Sequence, residues 1–379
     1  MDGVSVKIFL DALLEKLNNH SIDVSRPQPY IENGILKLPK RTTQCTPPAE
    51  HLTKFPIDRD LMIKALWSQL KSSISPPINP TQADWAPIQE TPYKTEFRSF
   101  TLPNNHLTEL IRACRTNNTT ITGLLHALSL ASLSSLLDDS RASAFESLTA
   151  LDIRRFLPAT HPRYPGLEPS RAMANYVTIL NHCFDVSSVS QVRSKTSFVD
   201  DDDDLPSPDL LASIWSVASN TRQQIKSKLD QGLRNDMIGF MKPIADWRAE
   251  MSRAVLKPRR ASWVVTNLGV LDSHGSNVDL EKAPGGSSGS SSGDQNDGKW
   301  CIREAQFVLG ANVPAAALSI SPIAVKGGSF CVTVSWQKCV LEEGIGERFT
   351  GDLERWMRFI GNAGESSLSG GESSTSRSE

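Results

Sequence analysis

Met1-Asp2-Gly3-Val4-Ser5-Val6-Lys7-Ile8-Phe9-Leu10-Asp11-Ala12-Leu13-Leu14-Glu15-Lys16-Leu17 opens the chain with an Asp-Gly turn that runs at once into a helical pattern. Val6, Phe9, Leu10, Leu13, Leu14 and Leu17 recur at three- and four-residue steps, so they share one helical face. Such a face needs a core to cover it. A packed helix that begins at about the fourth residue, with no strand-forming lead-in, is expected to be an internal segment of a larger fold.

Working outward, residues 20–95 are rich in Pro, Ser and Thr and read as a long connection that wraps a surface or links two lobes. Strand alternation follows over Glu96–Leu102, then a helix over Asn104–Arg115 and a strongly apolar helix from Ile121, with Thr119-Thr120 placed to cap it. Further strands are predicted at Glu146–Asp152, Asn175–Phe184, Ser262–Leu268, Cys301–Leu309 and Ser329–Trp336. Helices are predicted over Leu210–Leu229, Leu233–Ala254 and Gly346–Phe359. Strands and helices interleaved in this way indicate an α/β or α+β fold. The acid run Asp200–Asp204, the Gly/Ser stretch Gly285–Gly298 and the Ser-rich end from Glu365 are expected to lack regular structure.

The chain has 379 residues, with 40 Lys and Arg against 42 Asp and Glu, a net charge of -2. That balance leaves no basic surplus to neutralise a phosphate backbone, so nucleic acid is excluded as an expected partner. Cys45, Cys114, Cys183, Cys301, Cys331 and Cys339 are scattered, with neither C-x-x-C pairs nor zinc spacing, and read as reduced thiols with no metal. No apolar run approaches the ~20 residues that cross a bilayer. A cytoplasmic monomer is expected, with peripheral membrane association left open.

G-x-S-x-G occurs at Gly285–Gly289 and again at Gly289–Gly293, but inside a Gly/Ser tract with neither the preceding strand nor the following helix that a nucleophile elbow needs. Phosphate-binding loops and H-E-x-x-H are absent from the sequence. His126, inside an apolar helix, reads as a core histidine.

Met1-Asp2-Gly3-Val4-Ser5 and the helix after it resemble the half-motif that follows the catalytic histidine in chloramphenicol acetyltransferase-like enzymes, where His-x-x-x-Asp-Gly precedes a helix. Leu151-Asp152-Ile153-Arg154 resembles their Asp-x-Arg segment, Met173-Ala174-Asn175-Tyr176 their Gly-Asn strand start, and Thr266-Asn267-Leu268-Gly269 their Asn-x-Gly strand near the active-site channel. Val332-Thr333-Val334-Ser335-Trp336 and the helix beyond it resemble the end of the fungal alcohol acetyltransferases. The segments stand in the family's order along nearly the whole chain.

The resemblance implies a two-lobed sandwich with its first lobe incomplete: 1–100 as part of the N-terminal lobe plus the crossover, 101–363 as the C-terminal lobe, and 364–379 as a disordered tail. It implies transfer of an acetyl or other acyl group from acyl-CoA, a co-substrate rather than a bound cofactor, to a small-molecule alcohol. Asp2 becomes the structural aspartate of the motif, with Arg154 its expected partner. Gly3, Asp152, Arg154 and Asn175 support the active site, and Asn267 and Gly269 line the channel. Two departures stand out: Ala174 where the family favours Gly, and no histidine four residues before Asp2, none of His20, His51, His106, His126, His161, His182 and His274 being followed by Asp at that spacing. The polypeptide from Met1 is therefore expected to be inactive. An upstream start, a non-catalytic remnant or binding protein, and a condensation-domain-like relative are the alternatives. Read without the family, Asp152 and Arg154 form an ordinary strand-end ion pair, Asn175 and Asn267 satisfy turns, and Gly269 marks a bulge.

Overall fold

The computed structural model describes residues 1–18, 30–37, 45–64, 67, 79–196, 205–241, 244–272 and 299–369. The acid run Asp200–Asp204 and the Gly/Ser stretch Gly285–Gly298 lie outside them. Helix α1 (Gly3–Asn18), the hairpin β1 (Tyr30–Glu32) and β2 (Ile35–Lys37), and the short α2 (Ala49–Leu52) precede the main sheet. Then follow β3 (Thr95–Leu102), α3 (Asn104–Thr116), α4 (Ile121–Leu136), β4 (Phe145–Asp152), β5 (Val177–Phe184), α5 (Val186–Thr196), α6 (Pro208–Gln231), α7 (Ile238–Met241), α8 (Trp247–Val255), β6 (Trp263–Val265), β7 (Val270–Leu271), β8 (Leu318–Val325), β9 (Phe330–Gln337) and α9 (Ile345–Ser369). The sheet has seven strands in the order β3-β9-β8-β6-β4-β5, with β7 also on β8. It is mixed: β4, β6 and β8 run parallel, and the remaining ladders of that path are antiparallel. This is the α/β class that the interleaved elements predicted. A division at residue 100 falls inside β3, which pairs along its whole length with β9.

Alternation along the strands sorts the two faces of the sheet. Phe145, Trp263, Val265, Leu318, Ile320, Val332, Val334 and Trp336 face α3, α4, α6 and α9 in one continuous core. Helix α4 is its centre, with most of its residues buried, because so few of them are polar enough to face water. Thr120 caps it by accepting the Gly123 N–H at 3.3 Å. Gly123 is required there, since a Cβ would stand 2.6 Å from the Ala218 carbonyl oxygen of α6. On the opposite face Ile323, Cys331 and Leu271 pack against Leu10 of α1 and against Leu268, Ala305 and Phe307. Leu14 is buried, whereas Val6, Phe9, Leu13 and Leu17 keep between 42% and 51% exposure. The sheet thus covers only part of the apolar stripe on α1.

Four expectations are corrected. Cys301–Leu309 is not a strand: it crosses the face of the sheet, pinned by Gln306 Nε2 to Ser99 Oγ at 2.9 Å, Ser335 Oγ to the Leu309 carbonyl at 2.8 Å and Ala311 N to Thr95 Oγ1 at 2.9 Å. Its alternation reflects burial against a face, not membership of a ladder. The helix expected over Leu233–Ala254 is two short pieces, α7 ending two residues before Pro243, where proline disfavours helical backbone. The expected strand Ser262–Leu268 is ladder only over Trp263–Val265, and α9 continues through Ser369, past the residue where the unstructured end was expected to begin. The structure also contains a strand with no counterpart in the sequence reading, β8, which carries Pro322 at the middle of the sheet. Proline is tolerated here because the even-numbered residues of β8 direct their backbone groups toward β6 and β7. Leu318 donates to Ser262, Ala324 donates to Gly269, and the Pro322 carbonyl accepts from Leu268. The missing N–H of Pro322 falls opposite the gap between Val265 and Val270, where no strand is assigned to receive it.

A buried polar chain crosses the helix-side core. Trp263 Nε1 donates to His126 Nδ1 at 3.0 Å, which makes that nitrogen an acceptor and puts the proton on Nε2. His126 Nε2 then donates to Thr149 Oγ1 at 2.8 Å, Thr149 to His182 Nε2 at 2.8 Å, and His182 Nδ1 to Gln224 Oε1 at 2.5 Å. Burial, and the neighbouring His182, hold the His126 imidazole well below its ordinary pKa, and burial lowers His182 as well against the opposing pull of Gln224. Each ring takes up its proton at lower pH in the folded chain than in the unfolded one, so below about pH 6.5 the unfolded chain binds more protons than the folded one. Stability is whole above that pH and declines as pH falls, by up to about 1.4 kcal/mol per pH unit for each ring. Urea midpoints should therefore drop between pH 7.5 and 5.5; midpoints independent of pH over that window would contradict the assignment.

Candidate active site

Asp2 stands immediately before the first residue of α1 and caps it: its Oδ1 accepts the Ser5 N–H at 2.8 Å, the N-cap to N3 bond. The same carboxylate meets Arg154, 152 residues away, through two parallel bonds, Nη1 to Oδ2 at 2.8 Å and Nη2 to Oδ1 at 3.0 Å. Tyr176 N donates to Oδ2 at 2.8 Å, and the Asp2 N–H donates to the Ala174 carbonyl at 3.1 Å. The side chains of Asp2 and Arg154 are 3% and 4% exposed. Arg154, expected to be the partner of Asp2, is bonded to it in the structure.

The second carboxylate on Arg154 is Asp152, 2.8 Å from Nη1 and on a side chain 38% exposed. Arg154 lies two residues past the end of β4, where the chain turns into a short 3-10 helix, Arg154–Phe156. Its Nη2 also reaches the carbonyls of Ala172 at 3.2 Å and Ala174 at 3.4 Å, and its guanidinium carbon lies 5.2 Å from the centre of the Tyr176 ring. Burial pushes the Asp2 carboxyl up, but Arg154, the Tyr176 N–H and Ser5 together outweigh it and leave the group below its ordinary value. Asp2 and Arg154 are accordingly a permanent ion pair near neutral pH.

Ser5 and Tyr176 belong to this corner although sequence reasoning did not single them out. Ser5 is fully buried; its Oγ lies 2.8 Å from both Asp2 Oδ1 and the Ala174 carbonyl, between which its one proton chooses, and it accepts the Ala174 N–H at 3.0 Å. Tyr176 OH donates to the Pro47 carbonyl at 2.9 Å and brings in the long connection. The readable signal was Asp2-x-x-Ser5, an N-cap spacing. Ala174 stands where Gly was expected, and the backbone of Asp2 still approaches its carbonyl within hydrogen-bonding distance. Asn175 is exposed, between Ala174 and Tyr176, which are both buried.

Gly3 faces the segment of Asn267 and Gly269. A Cβ on Gly3 would lie 2.3 Å from Leu268 Cδ2 and 3.3 Å from Phe307 Cζ, so the first turn of α1 can sit this close only without a side chain, unless Leu268 moves. Asn267 bends the chain there by accepting the Gly269 N–H at 2.7 Å, with Gly269 at φ +72°, and donates to Thr122 Oγ1 at 3.1 Å. Asp2, Gly3, Asp152, Arg154, Asn267 and Gly269 thus gather beyond the carboxyl ends of the parallel strands β4 and β6. A cavity of about 410 Å³ opens beside them between α1 and residues 301–307. A larger one of about 580 Å³, lined by Glu50, His51, Lys54 and His161 among others, includes none of these residues. Among the described residues no cluster of three or more His, Cys, Asp or Glu side chains is placed to hold a metal ion. No single helix among them is long and apolar enough to cross a membrane.

No family model matches the sequence. Among solved structures, the trichothecene 15-O-acetyltransferase TRI3 from Fusarium sporotrichioides superposes with a TM-score of 0.59 at 14% identity, over 95% of this chain and 63% of that one. The chain therefore shares the chloramphenicol acetyltransferase-like fold of that protein. In sequence, FCK4 of Fusarium pseudograminearum, named a probable alcohol acetyltransferase, is 26% identical over 378 residues, 97% of this chain and 67% of that protein. crmB of Aspergillus fumigatus, which carries the same description, is 23% identical over 357 residues, 92% and 64% respectively. The chain is similar in sequence to these two probable alcohol acetyltransferases and spans about two thirds of their length.

Removing Arg154 would leave the Asp2 carboxylate buried and uncompensated, at about 3–5 kcal/mol. Arg154→Ala should lower the urea midpoint by that equivalent, and Arg154→Lys should recover only part of it, because an ammonium cannot make the two parallel bonds. Unchanged midpoints in both would show that the pair does not hold the corner.

Proposed function

We propose that the protein belongs to a CoA-dependent O-acyltransferase, passing an acetyl or other acyl group from acyl-CoA to an alcohol. The observation that carries this reading is the buried Asp2–Arg154 pair at the cap of α1, set against the Asn267–Gly269 bend, in a chain related to named alcohol acetyltransferases. Asp2 and Arg154 act as positioning residues: they fix the direction in which the chain enters α1, and with it any group carried just ahead of Asp2. Gly3 lets that turn approach Leu268, Asp152 shares Arg154, Asn175 lies at the adjoining strand start, and Asn267 and Gly269 border the channel. The division into residues 1–100 and 101–363, with a tail after them, belongs to the same proposal.

In this chemistry a neutral imidazole removes the hydroxyl proton as the alcohol oxygen attacks the thioester carbonyl, and the intermediate collapses with expulsion of the CoA thiolate, which takes up the proton. A donor aimed at the oxyanion lowers the barrier further. The family's histidine precedes the aspartate by four residues, and no histidine of the 379 does so. The polypeptide from Met1 should therefore turn over slower by on the order of 10²–10⁴ than a product that carries that histidine.

The test is release of free CoA thiol from acetyl-CoA on addition of straight- and branched-chain alcohols. It is run on the polypeptide from Met1 and on any longer product of the same reading frame. Thiol release from a longer product and little from the first is the expected result. A folded longer product that stays silent across the alcohol panel would sink the acyl-transfer reading and favour a binding role.

A further inference from the structure

At the end of the sheet away from Asp2, a free thiol stands among groups whose bonding is incomplete. Leu318 opens β8 opposite Trp336, so Gln337 and Cys339 lie where the parallel strands begin, whereas Asp2 lies where they finish. Gln337 is 3% exposed. Its Nε2 donates to the carbonyls of Gln89 at 2.9 Å and Pro92 at 3.2 Å, and to Cys339 Sγ at 3.3 Å. Those two carbonyls fix which atom of the amide is nitrogen, and they leave Oε1 buried without a partner. Cys339 is half-buried, and its thiol donates to the Pro92 carbonyl at 3.4 Å.

Positive charge is present here and is not cancelled. Arg259 is 2% exposed, and among the described residues it bonds to carbonyl oxygens alone, that of Ala86 at 2.6 Å and that of Ala315, with no carboxylate beside it. Burial lowers its guanidinium to about 10, which leaves it charged near neutral pH, and the group that opposes the fall is Cys339. An anion forming on that sulfur faces an arginine that nothing else neutralises, the setting in which a cysteine becomes a nucleophile. The other cysteines lack it: burial pushes the Cys114 thiol up to about 12 and raises that of Cys183, and Cys331 is buried against Thr333.

We propose that Cys339 is a site of oxidation by hydrogen peroxide, and that Gln337 Oε1 accepts the hydroxyl of the sulfenic acid formed there. The thiolate attacks one peroxide oxygen; the S–O bond forms as the O–O bond breaks, sulfur gives up two electrons and peroxide takes them, and the departing hydroxide joins the thiol proton as water. The product carries a new O–H donor beside the amide that already touches the sulfur, and so supplies the partner that Oε1 lacks in the thiol form. This chemistry does not depend on the acyl-transfer reading.

The experiment treats the full polypeptide from Met1 with hydrogen peroxide in the presence of dimedone, which traps sulfenic acids, and maps the label by mass spectrometry. The expected result is label concentrated on Cys339, ahead of Cys45, Cys183 and Cys301, which are all more exposed. In urea that preference should vanish. Label spread according to exposure in the native protein, or a preference for Cys339 that persists in urea, overturns the proposal, and both outcomes are read on the unaltered sequence. Arg259→Met, shown to be folded by circular dichroism, should bring Cys339 down to the level of the exposed cysteines. Gln337→Leu, which keeps the charge and removes Oε1, should shorten the sulfenic stage and raise the yield of sulfinic acid at Cys339. Unchanged labelling in the folded arginine variant would remove the charge from the account, and an unchanged sulfinic yield in the folded glutamine variant would remove the acceptor.

Discussion

A carboxylate and a guanidinium lie together at 3% and 4% exposure, and the rest of the site is arranged to make that tolerable. Coulomb attraction alone does not offset the removal of two charges from water; the remaining lone pairs and protons must also be satisfied. Here they are taken up by the Ser5 and Tyr176 N–H groups on one side and by Asp152 and the Ala172 and Ala174 carbonyls on the other, which leaves the buried Nε–H of Arg154 without a partner. These partners come from α1, from the end of β4 and from the approach to β5, so the ion pair can form only when all three are in register. The placement of Gly3 against Leu268, and of the cavity beside it, follows from that fixed corner.

The core behind the sheet solves a similar problem without charge. His126 and His182 are linked through Thr149, and the indole N–H of Trp263 at one end and Gln224 at the other set both tautomers. Each ring thus has both nitrogens engaged, and desolvation keeps both rings neutral. A histidine held in this way serves cohesion of α4, β4, β5, β6 and α6, on the face of the sheet opposite α1.

What could be read in the sequence follows from how local each signal is. The helix after Asp2, the Thr120 cap and the alternating strands β3, β4, β5 and β9 are encoded by neighbours within a few residues. The pairing of Asp2 with Arg154 spans the chain and was reachable only through resemblance. Ser5 and Tyr176 act through a buried hydroxyl and a backbone N–H, which no residue pattern announces at long range. Pro322 hid β8, because its tolerance depends on where β6 stops and β7 starts. Cys301–Leu309 has the alternation of a strand because one side of it is buried, yet its hydrogen bonds go to side chains of the sheet beneath.

The two ends of the stretch 273–298 are tied to the same helix. Before it, the Val270 carbonyl accepts from Lys7; after it, Trp300 exchanges two hydrogen bonds with Asn18. Eleven helical residues at about 1.5 Å each put these anchors roughly 16 Å apart. Helix α1 therefore works as a brace: one end holds the chain at β7 and the other holds it at Trp300, so that the helix fixes both the bend after β6 and the start of the segment that crosses the sheet.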